Sequence, residues 1–359
     1  MDSALLEGKL TALGTLGANP ACLDLWREFI TNAPADQLRR INAFELAARW
    51  HTDFRQVLTQ LIHAATVGLM ELSWDLVCPA CSFVNSHDHL ETVRANQLCG
   101  GCGQSFLVML DRSVEVTFSL NQSIRPLAHP TGSTIGHRET RVVTGLDCVT
   151  LPAFREFFDT HILFQTESLH VNNVAILFTD IKGSTQLYER FGDARGYLAV
   201  HKHFEVLFKT VAANEGALIK TIGDAVMASF AHPVQAVRAA LAAQETFIEF
   251  RPLLPDDQEA IVVKMGIHHG PSLAVTLNDQ IDFFGRTVNI AARTQQQASG
   301  GELLLTEDTY NDSSVKALLS RKGLVALALQ TKLKGLSETF VLYKIVCAND
   351  ASHAPGLAQ

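Results

Sequence analysis

Apolar positions recur at helical spacing early in the chain. The clearest case runs from Asp53 to Leu72, where Val57, Leu58, Leu61, Ile62 and Ala65 share one face. Gly68 interrupts this pattern, and Leu69-Met70-Glu71-Leu72-Ser73-Trp74 then reads as a strand. Residues 1–75 thus predict three short helices and a strand pair, which would suit a winged-helix-like module. Residues 76–120 predict a small β unit, with Ser105–Leu110 and Val114–Leu120 as strands and Asp111-Arg112-Ser113 as the turn. Pro126, Pro130 and Thr131-Gly132-Ser133-Thr134 predict a loop, and Leu151–Phe164 a short connecting helix, so residues 121–170 read as a linker. No internal repeat or low-complexity tract interrupts the chain.

From Val171 strands and helices alternate. Val174–Phe178 is a continuous apolar strand. Tyr197–Ala213 predicts an amphipathic helix, with Leu198, His201, Glu205, Phe208 and Ala212 on one stripe and Asn214–Gly216 as its end. Leu218–Ile222 and Ala225–Phe230 predict a hairpin turning through Gly223-Asp224. Val234–Phe250 follows as a helix and Ala260–Ile267 as a strand, an α+β pattern with a hairpin inside it. Residues 171–347 are expected to form one domain and 348–359 a disordered tail.

The chain has 359 residues, which suggests roughly two domains. Apolar residues make up 47% of it, enough for sizeable cores, and the net charge of −8 gives no electrostatic draw toward nucleic acid or anionic lipid. No apolar run reaches the ~18 residues of a membrane span, and the first thirty residues lack a secretory pattern. The cytoplasm is therefore the expected location, with no membrane insertion.

Cysteine usage changes the picture of the N-terminal half. Cys78-Pro79-Ala80-Cys81 and Cys99-Gly100-Gly101-Cys102 form two Cys-x-x-Cys knuckles, and the intervening stretch leaves room for a zinc-ribbon loop. One structural Zn²⁺ per chain is the expectation, because a small β unit has too slight a core of its own. Unligated cysteines or a redox pair are the alternatives. His87 and His89 lie close enough in sequence to replace a ligand, although four cysteines already complete a tetrahedral shell.

Candidate chemistry gathers in the C-terminal half. Asp180 follows the apolar strand 174–178 and Asp224 sits at the hairpin tip, where acids can face a ligand while their strands stay buried. Two such acids suit hard cations beside a triphosphate, and the backbone amides of Gly183, Ser184 and Thr185, at a helix start, suit phosphate oxygens. Farther on, Asn289 and Arg293 share one helix face, where an amide and a guanidinium can stabilise charge on a phosphorus centre. Two turn acids with a helix cap, and a solvated polar stripe, are the plain alternatives.

Three segments together resemble a known family. Leu177-Phe178-Thr179-Asp180-Ile181-Lys182-Gly183-Ser184-Thr185 is similar to the first metal motif of the class III adenylyl/guanylyl cyclases. Lys220-Thr221-Ile222-Gly223-Asp224-Ala225-Val226-Met227 is similar to the second, and Asp282-Phe283-Phe284-Gly285-Arg286-Thr287-Val288-Asn289-Ile290-Ala291-Ala292-Arg293 to the third. The resemblance covers roughly residues 172–346. It implies an α+β fold with a C-terminal ferredoxin-like cyclase domain and an antiparallel-rich sheet, preceded by the helical module and the zinc-ribbon unit.

The resemblance also implies roles. Asp180, Asp224 and the carbonyl of Ile181 match the ligands of two Mg²⁺ or Mn²⁺ ions. Lys220 and Asp282 match the pair that reads adenine in ATP, Asn289 and Arg293 the transition-state pair, and Lys334 a phosphate-binding lysine. In the family these groups meet across a head-to-tail homodimer. One departure stands out: Pro271–Ile281 carries no Lys or Arg, where some relatives place a basic residue. His268 and His269 sit on a strand and read as structural. The N-terminal half is similar to an uncharacterised region that precedes the cyclase domain in some bacterial cyclases, which implies regulation. A nucleic-acid-binding regulator is the competing class, but residues 1–110 hold seven Lys/Arg against eleven Asp/Glu, so no nucleic-acid partner is expected. A degenerate nucleotide sensor is the third class, and the full set of site residues opposes it.

Overall fold

Four side chains cap helix starts in the N-terminal region. Asp2, Asn19, Asn42 and Asp53 each accept a hydrogen bond from a first-turn amide. The result is four helices where three were expected: α1 (Ser3–Thr15), α2 (Pro20–Asn32), α3 (Ala43–Trp50) and α4 (Phe54–Thr66). The computed structural model describes residues 1–127, 141–158, 163–249 and 262–347. The expected loop around Pro130 and Thr131–Thr134, the residues 159–162, Phe250, Ala260 and the tail 348–359 lie outside these residues.

α4 buries Val57, Leu58, Leu61 and Ile62 and packs on β1 (Met70–Val77). Then follow β2 (Val84–His87), β3 (Asn96–Leu98), β4 (Ser105–Leu107) and β5 (Val114–Leu120). β1 is the central strand of a three-stranded sheet, antiparallel to β2 and to β5, with Met70 opposite Leu120 and Leu76 opposite Val114. The expected pairing of 105–110 with 114–120 does not form. The second cysteine knuckle folds the chain back so that β4 pairs β3, while β5 turns Val114, Val116, Phe118 and Leu120 into the core beside β1. Asp75 on β1 is fully buried, and its charge is met by Arg40 at 2.8 Å, Thr117 at 2.7 Å and Ser86 at 2.5 Å.

α5 (Gly145–Val149) starts with a capping box between Thr144 and Asp147, and α6 (Pro152–Phe157) stops short of the expected 151–164 because Phe158 leaves helical geometry at φ −121° and ψ 43°. The chain divides into two compact units. One comprises residues 1–172 together with 274–282, and the other residues 173–273 with 283 onward.

The second unit is built on β6 (Ser168–Ile181), α7 (Ser184–Ala213), β7 (Gly216–Ile222), β8 (Ala225–Phe230), α8 (Pro233–Glu249) and β9 (Val263–Leu277). Its strands lie in the order β9-β6-β8-β7, with β8 antiparallel to both neighbours. This βαββαβ succession with that order is the ferredoxin-like arrangement. β10 (Gln280–Phe284) pairs with β9, and α9 (Arg286–Gln297), β11 (Leu303–Thr306), α10 (Glu307–Asn311), α11 (Ser313–Arg321), β12 (Leu324–Lys332) and β13 (Thr339–Cys347) follow. β11 runs parallel to β9, and β12 and β13 extend the sheet antiparallel to give eight strands in all.

The core of this unit is formed by Leu177, Leu207, Phe230, Val237, Met265 and Leu305 with their neighbours. α7 breaks at Gly192, whose φ of 73° and ψ of 166° suit only glycine. Beyond the break, the expected stripe of Leu198, His201, Phe208 and Ala212 is exposed, and the buried face is Val200, His203, Leu207 and Val211.

Candidate functional site

β6 buries Val174 to Thr179 and emerges at Asp180, which is half-buried. The β7–β8 hairpin turns through Gly223, at φ 64°, and Asp224, with Ile222 facing Ala225 across it. These two ends meet. The Ile181 amide donates to Oδ2 of Asp224 at 3.2 Å, so the second acid rests against the residue that follows the first. From β9, Lys264 places its ammonium 2.5 Å from Oδ2 of Asp180. Lys264 was not singled out from sequence; the only signal was a lone charge in an otherwise apolar strand start.

Past Asp180 the Lys182 amide donates to the Val262 carbonyl at 2.8 Å, and Gly183 takes φ 72° to start α7. No side chain caps this helix start, which leaves the first-turn amides of Ser184 and Thr185 oriented for an anion. The Thr185 side chain lies outside the described atoms, and only its backbone is placed.

Lys220 is half-buried on β7 opposite Met227, next to a register shift after Leu218. Asp282 is buried on β10. Asn289 is exposed on α9, and Arg293, one turn on, donates to Gln296 at 2.7 Å. Both thus stand on an accessible face, while Ile290 and Ala291 pack inward. Lys334 is exposed in the turn between β12 and β13, beside Gly335 at φ 83°. His268 and His269 meet threonines: Thr306 at 2.7 Å and Thr309 at 3.2 Å. Burial lowers the pKa of both, that of His268 to about 4.

In the N-terminal unit, the sulfur atoms of Cys78, Cys81, Cys99 and Cys102 all lie within 4.8 Å of one another. The closest cross-knuckle separations are 3.5 Å for Cys81–Cys99 and 3.9 Å for Cys78–Cys102. Sulfurs about 2.3 Å from a tetrahedral zinc stand about 3.8 Å apart, so the cluster fits that ion. The two knuckles repeat one geometry. Cys78 N donates to the Phe83 carbonyl and Cys99 N to the Gln104 carbonyl, each at 2.9 Å. Ser82 and Gly103 hold the matching left-handed positions at φ 58° and 72°. Gly101 gives close passage to Phe83, whose ring a Cβ there would meet at 2.8 Å. Backbone N–H groups of Cys102 and Gly101 point at the Cys99 sulfur and help pull its pKa down to about 6, which favours the ligating thiolate. His87 turns instead to Thr92, at 2.8 Å.

Residues 166–343 match the family described as "Adenylate and Guanylate cyclase catalytic domain", and residues 7–180 match a family of unknown function, DUF5939. An adenylate cyclase of Lachancea kluyveri is 35% identical over 154 residues, covering 38% of this chain and 8% of that protein. An adenylate cyclase of Podospora anserina is 29% identical over 192 residues, covering 46% and 9%. The chain therefore spans under a tenth of the length of these two relatives. The crystal structure of the adenylyl cyclase CyaB from P. aeruginosa overlays with a TM-score of 0.44 at 22% identity, covering 51% of this chain and 97% of that one. Among the described residues no helix is long and apolar enough to cross a membrane. The match over residues 166–343 spans all three motifs and the strands that present them, and through its C-terminal half the chain belongs to the class III adenylate and guanylate cyclases.

Proposed function

We propose that this protein converts ATP to 3′,5′-cyclic AMP and pyrophosphate at a site shared by two copies of the chain. The hydrogen bond from Ile181 to Asp224 carries the proposal, because it holds one carboxylate beside the strand end that bears the other. Asp180, Asp224 and the Ile181 carbonyl are an all-oxygen donor set of the kind that Mg²⁺ or Mn²⁺ takes, and they would hold two such ions. Bound there, the ions would lower the pKa of the ribose 3′ hydroxyl and neutralise the triphosphate. Asp180 or a water receives the 3′ proton, the 3′ oxygen attacks the α-phosphorus, and pyrophosphate leaves. The open amides of Gly183, Ser184 and Thr185 and the Lys334 ammonium serve phosphate oxygens.

Base choice falls to Lys220 and Asp282. A lysine donor suits adenine N1 and a carboxylate acceptor suits the N6 amino group, whereas guanine reverses both. Each mispaired buried group costs roughly 1–3 kcal/mol, so two disfavour GTP by about a hundredfold or more.

Arg293 and Asn289 lie on an accessible helix face, suited to the α-phosphate of a nucleotide held by the partner copy. The apolar side chains of Ile222 and Phe284, 54% and 69% exposed, support a covered interface beside these motifs. The N-terminal unit would hold one structural zinc on its four cysteines and regulate the cyclase, in the cytoplasm. Incubation of the purified protein with ATP or GTP and Mn²⁺ or Mg²⁺, with product identification, tests the proposal. Cyclic AMP from ATP is expected, and a protein that forms no cyclic nucleotide under any combination would overturn it.

A further inference from the structure

The tip of the β9–β10 hairpin, residues 274–282, groups with residues 1–172. Two side-chain contacts tie it there. Arg155 on α6 donates from Nη1 to the Ile281 carbonyl at 2.8 Å, and the Thr276 hydroxyl donates to the Leu163 carbonyl at 2.7 Å. Arg155 also reaches Oε1 of Gln280, at a longer 3.5 Å. Ile281 directly precedes Asp282, and both are buried. Burial lowers the Arg155 pKa, and the Asp282 carboxylate opposes that fall, so cation and carboxylate feel each other. The groups that meet this guanidinium are thus the carbonyl of one residue and the charge of the next.

That pairing has a geometric consequence. The Ile281 carbonyl and the Asp282 amide share one rigid peptide plane. A planar guanidinium holds a carbonyl in a defined direction better than a flexible ammonium does. Successive strand side chains alternate between faces, so a rotation or slip of that plane would aim the Asp282 carboxylate elsewhere.

We propose that Arg155 is a positioning residue for base recognition: by holding the Ile281 carbonyl it orients Asp282, a role that depends on Asp282 reading the purine. Arg155 and Asp282 belong to the same compact unit, so this orientation is set within it.

The test uses the full chain with Mn²⁺ and two nucleotides lacking the attacking hydroxyl, 3′-deoxy-ATP and 3′-deoxy-GTP, and reads both dissociation constants by calorimetry. Wild type is expected to favour the adenine analogue, and Asp282→Ala to lose most of that preference. Arg155→Met should cut the preference about tenfold, the scale of one buried hydrogen bond, while Mn²⁺ affinity stays unchanged. Arg155→Lys should recover part of it, and with ATP the KM should rise more than kcat falls. Thr276→Val removes the second tie with little change of volume; it should shift the preference the same way by a smaller factor, and it serves if Arg155→Met does not fold. Should Asp282→Ala alter the preference while the folded Arg155→Met or Thr276→Val protein keeps it, the positioning role is overturned. Should Asp282→Ala itself leave the preference intact, the assignment of Asp282 falls and takes this proposal with it, whereas the cyclase reaction is judged separately by its product.

Discussion

The Lys264 ammonium lies 2.5 Å from Oδ2 of Asp180, so the acid at the end of β6 has a cation from the neighbouring strand as its partner. Both side chains are about a quarter exposed, at 24% and 26%, which places the pair among partly solvated ion pairs worth about 0.2–1 kcal/mol. A divalent ion taking Asp180 competes with that ammonium. Lys264→Met is therefore expected to tighten Mn²⁺ binding by up to about fivefold, measured by calorimetric titration. Weaker binding in the variant would show that the lysine assists the ions instead.

Asp180→Ala and Asp224→Ala should each abolish cyclisation and leave the fold intact. Both acids stand at an end or a turn, and neither is a core side chain. Near-normal turnover by either variant, with melting behaviour like wild type, would remove it from the metal ligands.

If the site is shared, Asp224→Ala and Arg293→Ala homodimers are both inactive, yet a mixture regains activity. A mixed dimer carries both lesions in one site and none in the other. Random exchange makes half of the dimers mixed, each with one good site of two, so recovery should approach about a quarter of wild type. Co-expression with product measured against each parent checks this. Proven heterodimers without recovery would mean that each chain builds its own site.

Elemental analysis should find about one zinc per chain, lost in a Cys78→Ser/Cys99→Ser double variant. The four sulfurs converge within 4.8 Å at the tips of two hairpins, the second of which has strands of only three residues. Native protein that is stably folded without zinc would dispose of the structural ion.

His203 on α7 is fully buried, and among the described residues neither ring nitrogen meets a hydrogen-bond partner. Burial pulls its pKa from 6.5 down to about 4, as it does for His268. Between these values the unfolded chain binds protons that the folded chain refuses, so stability falls as pH drops from 6.5 toward 4 and is unaffected by these groups above that window. His203→Leu should flatten the slope and raise stability near pH ~5 by about 1–3 kcal/mol, read from urea midpoints. An unchanged slope would mean that His203 is protonated in the folded protein.

Local signals carried much of this fold. Gly223-Asp224 between two strand-like runs announced the β7–β8 hairpin, and the helix expected to carry Asn289 and Arg293 forms as Arg286–Gln297. The strand register that pairs β1 with β5 was not legible, because two cysteine knuckles separate the partners and no local pattern reports so distant a pairing. The inward face of α7 was misassigned for a different reason. Leu198 and Phe208 are apolar and exposed, at 63% and 38%, while His203 is polar and buried, so hydrophobicity alone marked the wrong side. Lys264 was missed because its partner comes from the adjacent strand, and Arg155 because its partners are a carbonyl and a carboxylate far along the chain.

The hairpin tip of residues 274–282 is encoded far downstream of the unit into which it folds. A truncation near residue 171 would strip its neighbours and leave the Thr276 hydroxyl and the Ile281 carbonyl without Leu163 and Arg155. If Asp282 reads the base, a fragment prepared that way is a poor gauge of the full chain's choice of nucleotide. On that reading the front of the gene is not freely interchangeable during evolution. Any substitute head joined to this C-terminal half by recombination would then have to supply its own donor to Ile281, or the fusion would discriminate less well between bases.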